Sequence, residues 1–170
     1  MPSERAHVDL ALHDIALINR LASMPEFSDW MSVAAFYAAV HVVEAVFSRR
    51  AAWPHGQTHD QRRRILTTEK TYENLYRHYR PLDTVARIAR YLEADEPSSS
   101  AGKAGGVSVQ TFNEYMPAAQ VLSQVVQHHL VRLIRAACDR MKGSHFIERL
   151  RAAADGLGAL RMEAGAAPQS

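Results

Sequence analysis

The sequence lacks several features that would place it quickly in a class of proteins. Its 170 residues include one cysteine, Cys138, which excludes an internal disulfide and cannot by itself form a cysteine-ligated zinc site. No apolar run reaches the roughly 18 to 20 residues of a membrane span, because His41 and Glu44 interrupt the best candidate. The N-terminus has no signal-peptide pattern of a basic start and an apolar stretch. We therefore expect a cytoplasmic protein with no membrane partner.

Signals for β-structure and for common catalytic motifs are also missing. The chain shows no strand alternation, hairpin turn or repeat, and no glycine-rich phosphate loop, serine elbow or cysteine–histidine pattern. With 47% hydrophobic residues and helical periodicity along most of its length, it predicts an all-α, up-and-down bundle of five or six helices. We expect one domain over residues 1–155, a flexible loop at 93–107 and a frayed tail at 156–170.

Caps and breakers set the expected helix ends. Pro81 is expected to end the third helix, and Gly143 with Ser144 to separate the last two. The expected helices cover about 7–23, 29–50, 59–79, 83–92, 111–142 and 145–154.

The expected second helix organises the chain. It is apolar on more than one side, which is typical of a central helix, and its alanine-rich side would let another helix approach closely. It also carries Tyr37, His41 and Glu44, spaced by four and three residues so that they share a face. Buried polar groups are costly unless hydrogen-bonded, so these three are expected to have partners.

The net charge of +2 hides an uneven distribution. Residues 1–48 hold two arginines against six acidic residues, a net charge of −4, whereas residues 49–90 hold ten basic and four acidic residues, a net charge of +6. The remainder is balanced. A basic segment made almost entirely of arginine attracts phosphate, although arginines are also common on solvated helix faces.

Histidine and arginine meet at the expected start of the third helix. His59, Arg62 and Arg63 lie within one turn there, and an antiparallel arrangement with the second helix brings them towards Glu44 and His41. A helix N-terminus favours an anion, and histidine beside arginine can act as acid or base on a phosphodiester. The structural alternative is that Glu44 pairs with an arginine and ties the two helices together.

The other histidines carry weaker signals. Three are interpreted as surface or boundary residues: His7, His13 and His78. The adjacent His128 and His129 face different sides of their helix, so at most one belongs to the core. A metal held by His41, Glu44 and His59 would need tighter paired spacing, so no metal or cofactor is expected.

Several separated segments resemble prokaryotic HEPN-domain proteins in sequence and in order. The residues that carry the resemblance are Asp29-Trp30, the segment 35–45, His59 with Arg62, Tyr72 with Leu75, and Ala89-Arg90-Tyr91. The resemblance implies a helical bundle, frequently a homodimer, that binds RNA or nucleotides. It also implies the metal-independent ribonuclease activity that many members have in toxin–antitoxin, CRISPR and anti-phage systems.

The resemblance also implies an arginine followed a few residues later by a histidine. Two places fit this spacing, Arg50 with His55 and Arg140 with His145, and an apolar residue follows the arginine in both.

Two hypotheses follow: an HEPN-like domain that binds RNA or a nucleotide and cleaves RNA without metal, and a non-catalytic helical module that dimerises or binds an antitoxin or another operon partner. The catalytic candidates are His59 and Arg62 with His41 in support, and then Arg140 and His145. The candidates for phosphate or RNA binding are Arg50, His55, Arg63, Arg87 and Arg90, with Tyr37 and Glu44 as structural support.

Overall fold

A computed structural model describes residues 2–50, 58–91 and 109–161. All regular structure in these ranges is helical, so the chain is all-α as predicted, with seven helices in place of the five or six expected. The predicted loop at 93–107, the candidate His55 and the end of the predicted tail lie outside these ranges. The helices are α1 (Glu4–Leu21), α2 (Ser28–Phe47), α3 (His59–Thr68), α4 (Glu73–Tyr91), α5 (Val109–Tyr115), α6 (Ala118–Gln120, Val121–Leu130 and Val131–Arg140 in succession) and α7 (Ile147–Ala159).

The central helix is α2, as the sequence predicts. Fifteen of its 20 residues are buried, and it packs against α1, α4 and α6. The segment Pro25–Phe47 is long and apolar enough to cross a membrane by those two measures, but 83% of its most apolar window is buried inside the bundle. This degree of burial is what a core helix of a helical bundle has.

Two contacts give the direction of α4 relative to α2. The ring of Tyr72, just before α4, lies 5.2 Å from the ring of Phe47 at the end of α2, whereas Tyr79, two turns along α4, lies 5.6 Å from Phe36. The two helices therefore run antiparallel. This arrangement brings Tyr79, in the first half of α4, beside the middle of α2.

The break between α3 and α4 corrects one sequence expectation. The expected end at Pro81 is wrong, because α4 continues through Pro81, and the chain instead leaves the helix at Glu69, whose backbone is extended. The hydroxyls of Thr67 and Thr68 donate to carbonyl oxygens of the preceding turn at 2.8–3.0 Å, and such bonds compete with helix continuation. At Pro81, the buried neighbours Tyr79, Leu82 and Asp83 hold α4 in place.

The middle of α6 is π-helical over Val121–Leu130. Val121, Val126 and Val131 are all buried at intervals of five residues, which suits the i to i+5 bonding of a π-helix. The buried side of α6 therefore follows a wider turn than the α-helix that the sequence predicts for this segment.

The last helix closes the bundle against the first. Glu4 accepts hydrogen bonds from Arg49 at 3.0 Å and from the hydroxyl of Ser144, and Arg149 pairs with Asp9 at 2.9 Å. The expected helix end near Ala154 falls short by about one turn, since α7 continues to Ala159. Leu157 is fully buried, so the last turn is stabilised by core packing and does not belong to a frayed tail.

Candidate functional site

A buried ion pair joins α2 to α3. Nε of Arg62 donates to Oε1 of Glu44 at 2.8 Å, and the two side chains are 7% and 4% exposed. Thr58 caps α3 by accepting from the backbone N–H of Gln61 at 3.2 Å, so the first turn that carries Arg62 is well formed. The structural pairing that the sequence left open for Glu44 is therefore present, and Arg62 is its partner.

His59 contacts the outer side of this ion pair. Nη1 of Arg62 lies 3.2 Å from Nδ1 of His59. Because a guanidinium only donates, Nδ1 accepts, and the neutral ring carries its proton on Nε2. Partial burial and then the positive charge of Arg62 lower the pKa of His59 below its usual value. The ring also packs on Phe36, with centroids 5.3 Å apart, so His59 is oriented from two sides.

His41 is near this group but has a different direct partner. Its Nδ1 lies 3.5 Å from Nδ1 of His7 on α1. Burial lowers the pKa of His41, and Arg62 lowers it further while Glu44 opposes the change. The interpretation of His7 as a surface or boundary residue is wrong, because it is 7% exposed. Its spacing of four residues from Ala11 would have placed it on the buried stripe of α1.

An arginine-lined cavity of about 330 Å³ lies between α3 and α4. Its lining residues are Arg63, Tyr76, Tyr79, Arg80, Asp83 and Arg87. Asp83 is 5% exposed and pairs with Arg63 at 3.1 Å and with Arg87 at 3.7 Å. With three arginines against one carboxylate, the lining has a net positive charge, and such a cavity favours an anion.

Tyr79 connects the cavity to the buried ion pair. Its side chain is 1% exposed, and burial raises its pKa to about 12, with the nearby charge of Arg62 opposing this effect. The phenol therefore stays neutral at any physiological pH. The sequence did not single out four of the lining residues for function: Tyr76, Tyr79, Arg80 and Asp83. The arginines around them were the available signal.

Arg90 lies near His59, among aromatic rings. Its guanidinium carbon is 5.6 Å from the ring centroid of Phe36, 5.8 Å from that of Tyr37 and 5.2 Å from that of Tyr91. Nη1 also donates to the hydroxyl of Tyr37 at 3.4 Å. The structure therefore brings together most of the predicted site: His59, Arg62, Arg63, Arg87, Arg90, Tyr37 and Glu44.

The second predicted pairs lie in a different place. Arg50 and Arg140 line a cavity of about 360 Å³ with Arg49, Lys142 and Tyr72, and the Arg50 guanidinium carbon is 5.2 Å from the Tyr72 ring centroid. His145 is exposed in the turn before α7. Within the described part of the chain, no hydrogen bond joins it to Arg140. This cavity shares no lining residue with the one at Arg63.

The described residues contain no group of three or more histidine, cysteine, aspartate or glutamate side chains arranged to hold a metal ion. The charged groups near His59 are the guanidinium groups of Arg62 and Arg90 and the carboxylates of Asp60 and Asp83. Comparisons of the chain with protein-family models, with curated proteins and with solved structures gave no match.

Proposed function

We propose that the chain is an HEPN-like, up-and-down helical domain that binds RNA or a nucleotide through phosphate at the start of α3. The observation that carries the proposal is the contact of Arg62 with Nδ1 of His59, next to the cavity lined by Arg63 and Arg87. The order of segments that resembles HEPN-domain proteins supports the same assignment.

Arg62 and His59 have different roles in this proposal. Arg62 is buried against Glu44, so it positions His59 and does not bind phosphate itself. His59 is left with an Nε2–H group that donates a hydrogen bond. Arg63 and Arg87 supply positive charge at the adjacent cavity, where guanidinium groups suit phosphate oxygens.

The same geometry limits the cleavage chemistry. A general base needs a free ring nitrogen at the reacting proton, whereas Nδ1 of His59 already accepts from Arg62 and Nε2 carries the proton. Binding therefore needs no change at His59. Metal-independent cleavage of RNA needs the ring to give up its bond to Arg62, or a second group to act as base.

Binding is tested with a short labelled RNA by fluorescence anisotropy, at several salt concentrations. We expect Arg63→Ala and Arg87→Ala each to weaken binding, and each to reduce the slope of log K against log salt by about one. The matched control is Arg135→Ala with Arg151→Ala, since these arginines line a separate cavity between α6 and α7. No RNA binding by the wild type, or equal weakening in the control, would overturn the proposal.

Cleavage is tested with the same RNA in the presence of EDTA. If the wild type cleaves the RNA and His59→Ala leaves it intact, ribonuclease activity is assigned to this site. RNA loss that His145→Ala abolishes and His59→Ala does not would assign the activity to His145, in the turn before α7. Intact RNA with every variant would leave a binding domain without nuclease activity.

A specific observation also favours the second candidate function, a dimerisation module. Met24, Phe27, Trp30 and Tyr115 are large, apolar and 42–72% exposed. They lie around the start of α2, where the hydroxyl of Ser28 donates to Asn113 of α5. Exposed aromatic residues gathered at one place are typical of protein interfaces. Sedimentation velocity of wild type and Trp30→Ser tests this: a dimer that becomes a monomer supports it, and a monomeric wild type excludes it.

A further inference from the structure

We infer that Tyr37 and Tyr91 form a stacking surface, with Arg90 between them, for the bases of single-stranded nucleic acid. This inference rests on the proposed function, because it adds to the phosphate site at His59 a preference for unpaired over base-paired strands.

The first argument is the arrangement of Arg90. Its Nε donates to the carbonyl oxygen of Ala86 at 3.1 Å and its Nη1 donates to the hydroxyl of Tyr37 at 3.4 Å. These two bonds fix the guanidinium plane close to three aromatic rings. An arginine held in this way offers a charged planar surface, and stacking on arginine and on aromatic rings is how proteins bind unpaired bases.

The second argument is the exposure of the two tyrosines. The Tyr37 and Tyr91 side chains are 38% and 58% exposed, whereas Phe36, which also contacts Arg90, is fully buried. Phe36 therefore supports Arg90 from inside, and the two tyrosines leave ring surface open to solvent. Every base has a flat aromatic face, but that face is covered in a duplex, so this surface selects unpaired bases.

The third argument is the continuity with the phosphate site. The ring of Phe36 contacts His59 at 5.3 Å and lies 5.6 Å from the guanidinium carbon of Arg90. The positive charge of Arg90 also contributes to lowering the pKa of His59. A strand whose phosphate meets His59 can therefore place a neighbouring base over Tyr37 or Tyr91.

The experiment compares a labelled single-stranded RNA with a blunt duplex of the same sequence by anisotropy. We expect the wild type to bind the single strand more tightly, and Tyr37→Ala and Tyr91→Ala each to weaken that binding roughly five- to thirty-fold. Tyr91→Phe keeps the aromatic face and is expected to bind like the wild type. The control is Leu17→Ala, which removes an exposed apolar side chain on α1.

The outcomes separate this inference from the proposed function. Equal binding of single strand and duplex, with Tyr37→Ala and Tyr91→Ala unchanged while Arg63→Ala and Arg87→Ala weaken binding, overturns the stacking surface and leaves the phosphate site standing. Absence of binding to either RNA overturns both. If Tyr37→Ala instead converts a dimer to a monomer in sedimentation, a second copy of the chain covers this surface, and the inference is wrong.

Discussion

Glu44 and Arg62 form an ion pair at 2.8 Å inside the protein, one residue on the central helix and the other in the first turn of α3. The pair fixes where α3 begins relative to α2. It also leaves Nη1 of Arg62 next to His59, so the packing of the helices and the orientation of the candidate site depend on one contact.

Breaking this pair is expected to destabilise the fold strongly. Glu44→Gln removes the negative charge and leaves a buried guanidinium uncompensated, which costs about 3–5 kcal/mol. Urea unfolding measures the loss. The matched control is Arg135→Gln, which removes an ion pair to Asp155 at 3.1 Å with side chains 62% and 71% exposed. That change is expected to cost under about 1 kcal/mol, and similar losses in both variants would contradict a buried pair.

The ionisation of His59 is expected to respond to Arg90. Burial first, then Arg62 and, more weakly, Arg90 lower the pKa of His59. Arg90→Gln removes one of these positive charges and leaves the Glu44 pair intact, so the pKa of His59 should rise towards its usual value. An NMR titration of the imidazole signal measures this change. Arg135→Gln serves as control, and a pKa that stays the same or falls in Arg90→Gln would count against the placement of Arg90.

The three histidines between α4 and α6 are expected to make stability fall in mild acid. His78 and His129 have Nδ1 atoms 3.4 Å apart, and the His128 ring lies 4.7 Å from that of His129. Burial, then His128 and His78, and then Arg132 lower the pKa of His129 to about 4. Burial, then Arg132, His128 and Arg77 lower the pKa of His78.

The direction of this pH dependence follows from the unfolded chain, where histidine has its ordinary pKa of about 6.5. Between about pH 6.5 and pH 4 the unfolded state binds a proton that folded His129 does not, so the free energy of unfolding decreases as the pH falls. Above about pH 6.5 the effect is absent. His129→Leu should make the pH dependence shallower in urea titrations. His13→Leu, on the exposed side of α1, should keep the wild-type slope, and equal slopes in the wild type and His129→Leu would refute this cause.

Replacing each of two glycines by alanine is expected to change the stability of the fold in opposite directions. Gly143 has a φ of +81°, with nothing within 4 Å of an added Cβ, whereas Gly156 lies in α7 and has equally open surroundings. Gly143→Ala should lower the free energy of unfolding by about 1 kcal/mol, because alanine is strained in this left-handed backbone conformation. Gly156→Ala should raise the free energy of unfolding by up to about 1 kcal/mol, because alanine has a higher helix propensity than glycine. Thermal unfolding measures both, and a stabilising Gly143→Ala would show that this turn has another conformation.

The helices were predictable from the sequence wherever a long apolar stripe decides the structure. The pattern of α2 identifies a central helix, and Val121 to Ile134 identify the core side of α6. The break after α3 was not predictable from proline alone, because burial on both sides of Pro81 keeps α4 together, while the hydroxyls of Thr67 and Thr68 help to end α3. Local sequence rules do not include the tertiary packing that decides between these two positions.

The candidate site was predictable as a set of residues but not as an arrangement. Helical spacing placed His59 and Arg62 near Glu44, and the structure agrees. The sequence left open that Glu44 pairs with an arginine, but it gave no sign that His41 faces His7 on α1 or that Asp83 lies between two arginines. These relationships depend on which faces of four helices meet, and each involves residues from different segments of the chain.

The contact of Glu4 with Ser144 joins positions 140 residues apart. The α1–α2 hairpin can form early during synthesis, because its contacts are local, but the first turn of α1 acquires its final neighbours only when α7 has been made. The entropy cost of closing a loop of this length is only slightly larger than for a loop of half the length, so the long separation hardly lowers the free energy of unfolding. It slows folding instead, since non-local contacts form late. Docking of α7 onto α1 is therefore expected to be a late step in folding.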